Sequence, residues 1–263
     1  MKKSQFISLV ALFASLNVVF DSLMGLPELS SGVWYSWIFI VEPITGIVLG
    51  PYAGFLSTLI GVMIGHCIHF RGLYEFIFTL GAPIGAMISG FLFRKEWKTV
   101  LSYFTALLAI YFFPPIGWQH PLWSMWGPSH RFAILYHSEP ISWQLPLWGM
   151  WDTYLAYVIL IVASIFIVKL KSWNLQSKEL AHIVALCVFI GLEADVLFRI
   201  FVFIPCQTYK LFYDLGVETL RAIWIAGAVE TPIKVALSIV VTTIIGPPLI
   251  KVLRKMNILS ELS

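Results

Sequence analysis

Glu42, Glu193, Asp195, Arg199, Glu230 and Lys234 stand in stretches that otherwise carry almost no charge. An ionised side chain at the centre of a bilayer costs ~2.5–3.5 kcal/mol on insertion scales, so such residues must face other helices, water or a ligand. Asp195 and Arg199 are separated by one helical turn, as are Glu230 and Lys234, so each pair can meet on one face and neutralise itself. Glu42 and Glu193 have no such partner in the sequence. They are candidates for holding a ligand, a cation or a proton, or for a hydrogen-bonded neutral carboxyl. Pro43 and Pro232 follow Glu42 and Thr231 directly. Proline removes a backbone donor and weakens a helix, and broken helices at membrane depth expose carbonyls to substrates.

Other constellations carry less chemistry. His66 and His69 fall on one helical face and could ligate a metal or haem, but no third ligand stands near them in sequence, so no metal or cofactor is expected. Cys67, Cys187 and Cys206 are scattered, which suits buried thiols better than a disulfide framework. There is no nucleophile elbow, P-loop, HExxH or dinucleotide fingerprint, and catalysis is not expected.

The elements that must position these charges are membrane helices. Of 263 residues, 59% are hydrophobic and 12% charged, with mean hydropathy +0.86. Soluble domains average about a quarter charged residues, so a soluble fold could not hide this much apolar surface. Apolar runs predict an all-α polytopic bundle of six to eight spans, with eight favoured, near 5–25, 34–49, 51–69, 73–93, 99–117, 148–170, 180–205 and 220–253. Lys2 and Lys3, then Arg94, Lys95 and Lys98, then Lys169, Lys171 and Lys178, then Lys251, Arg254 and Lys255 all fall on one side if eight helices alternate. Those eleven of 17 basic residues place that side, and both termini, in the cytoplasm, against Arg71, Arg131, Lys210 and Arg221 opposite. The net charge of +3 then reflects topology, with no nucleic-acid partner implied.

The first span lacks a small-x-small cleavage site and is expected to be a retained helix. Leu49-Gly50-Pro51-Tyr52-Ala53-Gly54 joins the second and third spans as a tight antiparallel pair or one kinked helix. Residues 114–151 form an extracytoplasmic loop within a single membrane domain, 1–263. That loop holds Trp118, Trp123, Trp126, Trp143, Trp148 and Trp151, among prolines at 114, 115, 121, 128, 140 and 146. It reads as an interfacial cap, or as a lid whose rings stack on a flat ligand with help from His120, His130, His137 and Arg131.

The stretch Val10-Ala11-Leu12-Phe13-Ala14-Ser15-Leu16-Asn17 resembles the first helix of substrate-capture (S) components of energy-coupling factor (ECF) transporters, with Ala11 and Ser15 matching a small-xxx-small motif. Gly46 through Gly54 is similar to that family's Gly-Pro-x-x-Gly junction. The resemblance continues through Leu80-Gly81-Ala82-Pro83, Gly85, Gly90 and Arg94-Lys95, and again from Glu230-Thr231-Pro232-Ile233-Lys234 to Lys251-Val252-Leu253-Arg254-Lys255. It covers about residues 8–95 and 222–256. Family members have six helices, against eight read here. The resemblance implies a cell-membrane protein that captures a vitamin-like or other small nutrient. It implies docking through Ala11 and Ser15 to a transmembrane coupling subunit with ATPase subunits. The implied ligand site lies under the loop after the first helix, with Glu28, Trp34, Tyr35, Glu75 and Glu230 as its residues. Two alternatives stay open: a gradient-driven transporter with Glu193, Asp195 and Glu230 as a proton relay, and a membrane enzyme or haem protein using the histidines.

Overall fold

The computed structural model describes residues 3–26, 34–73, 75–112, 149–169, 177–204, 206, 208–215 and 217–256. Glu28 and almost all of the Trp-rich loop lie outside them. The described elements are helices: α1 Lys3–Ser22, a 3-10 turn at Ile38–Ile40, α2 Glu42–Leu49, α3 Pro51–Ile68, α4 Glu75–Phe78, α5 Gly81–Phe93, α6 Trp97–Phe112, α7 Trp151–Lys169, α8 Ser177–Phe203, α9 Thr208–Leu211 and α10 Val217–Lys255. Four stretches are long and apolar enough to cross a membrane: Ser4–Ser22, Pro51–Ile68, Glu75–Phe93 and Ala222–Lys255. Ile38–Leu49 and Trp151–Ile165 are shorter apolar helices. The 27-residue α8 is long enough, but Glu193, Asp195 and Arg199 interrupt its apolar run.

Packing follows small residues. α1 lies on α3, α5 on α8, α2 on α5, and α10 on α8. At the α2–α5 crossing a Cβ on Gly46 would sit 1.7 Å from the Ala86 carbonyl oxygen, so only glycine permits that approach. In lipid no hydrophobic force separates helix from solvent, and such close backbone contact supplies the dispersion that holds helices together. The Gly-Pro junction is two helices. α2 ends at Leu49, Gly50 turns with φ +86°, and α3 starts at Pro51. A Cβ on Gly54 would meet Gly46 Cα at 2.6 Å, so the two helices stay in contact beside the turn.

The prolines behave differently from one another. Pro43 occupies the first turn of α2, where its missing N–H leaves no bond unmade. Pro232 lies inside α10, which continues through it. Proline at that position frees the Ala228 carbonyl, and Trp151 Nε1 donates to this oxygen at 3.0 Å. An indole from α7 thus replaces the lost helical donor, and no broken helix forms there.

Candidate functional site

The loop after α1 is closed on itself at its base. Gly25 N–H donates to Tyr35 O at 3.0 Å, Leu26 N–H to Trp34 O at 2.8 Å, and Trp37 Nε1 to Met24 O at 3.0 Å. Trp34 is buried edge-on against Trp37 and Phe39, with ring centroids 5.4 and 5.3 Å away. This strap holds Tyr35 and Ser36 over the end of the bundle where α1 and α3 finish and α4 begins.

Beneath the strap is a narrow polar recess of ≈ 410 Å³, counted to its open mouth. Asp21, Tyr35, Ser36, Arg71, Glu75, Thr79, Arg199 and Lys234 form its polar lining, with Ile38, Phe39, Val62 and Ala82 as its apolar lining. Two ion pairs set its geometry. Arg71 Nη2 donates to Asp21 Oδ2 at 2.6 Å while Arg71 Nε donates to His66 Nδ1 at 3.2 Å. His66 Nε2 is 3.0 Å from Gly72 O, which fits a neutral ring protonated on Nε2. Ser36 Oγ donates to the other Asp21 oxygen at 3.1 Å. The second pair lies within α8, where Arg199 Nε and Nη2 hold the two Asp195 oxygens at 2.5 and 3.1 Å. Gly81 makes room for it, since a Cβ there would collide with Asp195 Oδ1.

Each guanidinium is therefore oriented by Nε and one Nη2 hydrogen, and its Nη1 donors make no further hydrogen bond among the described residues. Lys234 adds a third cation, 4% exposed, with its ammonium 5.5 Å from the centre of the Phe39 ring. On the far wall Glu75 accepts from Tyr213 O–H at 2.6 Å. Burial, then the Glu75 carboxylate, push the Tyr35 phenol above its ordinary range, with Arg71 opposing. Tyr213 is shifted up for the same first reason, with its bond to Glu75 next.

Of the residues singled out in the sequence, Tyr35 and Glu75 meet at this recess, joined by Arg199 and Lys234. Trp34 supports the strap from below, and Glu230 is half-buried one turn before Lys234, outside the lining. Asp195 pairs with Arg199 as its spacing suggests. Glu42 and Glu193 are fully buried deeper in the bundle. Ala11 and Ser15 lie on the exposed face of α1, where Ser15 Oγ donates to Ala11 O at 2.9 Å. Sequence reasoning missed Asp21, Ser36 and Thr79, and read Arg71 only as a topology marker. Asp21 carried a signal: it sits one turn after Asn17 on α1, and both are buried. No protein-family model, curated protein or solved structure matches the chain.

Proposed function

We propose that this chain is a membrane-embedded capture protein that binds a small polar nutrient under the strap and passes it to a transmembrane coupling partner, in the manner of ECF substrate-capture components. The observation that carries this reading is the recess with two guanidiniums fixed by carboxylates, each with an Nη1 that makes no hydrogen bond among the described residues. A planar donor set fixed in advance loses little entropy when it meets a carboxylate or phosphate, which is how preorganised sites gain affinity. Lys234 strengthens the preference for an anionic group, while Tyr35 and Glu75 offer an aromatic face and an acceptor opposite. The space between the atoms is hardly wider than a water molecule. Tyr35 and Ser36, which line it, must therefore shift for a nutrient to enter. The exposed Ala11–Ser15 face of α1 is the surface offered to the coupling subunit.

The test is to purify the chain from its native membrane and identify co-retained small molecules by native mass spectrometry. Glu75→Gln and Tyr35→Ala should each lose the retained compound while the protein still purifies as a folded species. A chain that purifies without partners, moves the identified compound into liposomes and needs no ATPase overturns the capture reading.

A further inference from the structure

Below the recess the bundle holds more acid than base. Glu42 on α2, Asp152 on α7, and Glu193 and Asp195 on α8 are all buried, at 0%, 3%, 0% and 1% exposure. The cations whose fields reach this group are Lys234 of α10 and Arg199 of α8. Four carboxyls thus face two cations. Of the other elements packed near Glu42, α1 brings Asp21, which is held by Arg71, and α5 carries no ionisable side chain. Tyr103 of α6 donates to the Ala194 carbonyl at 2.8 Å.

Asp195 is bound on both oxygens by Arg199. The other three carboxyls are under-bonded. Neither Glu42 oxygen has a hydrogen-bond partner, and Glu193 Oε1 and Asp152 Oδ2 also lack one among the described residues. Glu193 Oε2 accepts from Thr153 Oγ1 at 2.8 Å, and Asp152 Oδ1 from the Thr153 N–H at 3.0 Å. Glu42 begins a helix, yet the following residue is proline and offers it no N–H. Its carboxyl points at the α5–α8 crossing, where a Cβ on Gly85 would lie 2.8 Å from Glu42 Oε1. A carboxylate taken out of water without donors is costly, and neighbouring carboxylates disfavour each other's ionisation, so the low-energy state of such a cluster is partly protonated.

We propose that Glu42, which faces Asp195 across the α5–α8 crossing, and the Thr153-linked pair Asp152 and Glu193 form a reversible proton-binding site inside the bundle that is protonated at neutral pH. This goes beyond nutrient capture, because it gives the chain a second ligand. The two sites share Lys234 and Arg199, which line the recess above and face the acids below. Any ligand that draws on those cations changes the field on the acids, and by linkage proton occupancy changes ligand affinity in return.

Infrared spectroscopy of the purified protein tests this without a nutrient, with the proton as probe. A neutral carboxylic acid has a C=O stretch above the amide band that moves down in D2O. The expected result is such a band at neutral pH, weakened in Glu42→Gln, weakened in Glu193→Gln and lost when Asp152→Asn is added to both. Absence of the band from the wild-type protein, or its survival in the triple variant, overturns the proposal. If the variants fail to fold, the wild-type band still decides. Its loss when potassium is replaced by sodium at constant pH overturns the proposal in favour of a metal cation. Neither outcome depends on whether the recess binds a nutrient.

Discussion

Asp21 and Arg71 show how one residue pair can define a site. Their side chains are 2% and 10% exposed, so the pair is shielded from solvent, and Ser36 and His66 complete its hydrogen bonds. Removing one partner of such a pair leaves an uncompensated charge and costs ~3–5 kcal/mol, whereas replacing both often costs little. Arg71→Met should therefore lower thermal stability in detergent more than the Asp21→Asn/Arg71→Met double variant. Equal melting temperatures for the two would show that the pair contributes nothing. At the rim, Tyr35→Ala and Glu75→Gln remove an aromatic face and an acceptor without touching either ion pair. Each should weaken binding of the retained compound more than tenfold, or over ~1.4 kcal/mol, by calorimetry. Trp34 is a poor probe of the same site, because its buried ring packs on Trp37 and Phe39 and its loss would loosen the strap itself.

At the scale of an element, α10 illustrates repair of a proline from outside the helix. Trp151 on α7 donates to the Ala228 carbonyl that Pro232 frees. Trp151→Phe keeps the apolar ring and deletes the donor, so it should destabilise by about 1 kcal/mol in chemical denaturation. In a Pro232→Ala background that carbonyl regains a backbone donor, and the cost of Trp151→Phe should fall close to zero. A cost unchanged between backgrounds would mean the indole acts through packing alone. The first helix invites a different experiment. α1 is the least buried of the four long apolar stretches, with 17% of its apolar window covered. Ala11→Leu and Ser15→Leu add bulk to that open face, so they should reduce copurification of a coupling subunit while leaving the melting temperature near wild type. A matching loss of stability would place the face against this chain's own helices instead.

For the whole molecule, orientation is the property that charge alone addresses. Leu73 lies between α3 and α4, two residues after Arg71 of the recess lining, and is 74% exposed. With the native cysteines replaced, Leu73→Cys should react with an impermeant thiol reagent in right-side-out vesicles, while tags at either terminus stay protected. Labelling only after lysis would invert the topology and turn the recess to the cytoplasm. The sequence by itself pointed to the helical class, to helices apolar enough to cross a membrane, to an interruption at Gly50-Pro51 and to the Asp195–Arg199 pair, because these depend on composition and on neighbours within one turn. Tyr35 and Glu75 were named together through the family resemblance, and Arg199 and Lys234 only as charges in apolar stretches, with no reason to bring the two sets together. That Asp21 meets Arg71 fifty residues later, that Pro232 is repaired by Trp151, and that Glu42 faces Asp195 across the α5–α8 crossing was decided only by tertiary packing. Helix periodicity places a residue on a face, but which face meets which is set by small residues such as Gly46, Gly81 and Gly85, whose contacts lie far away in the chain.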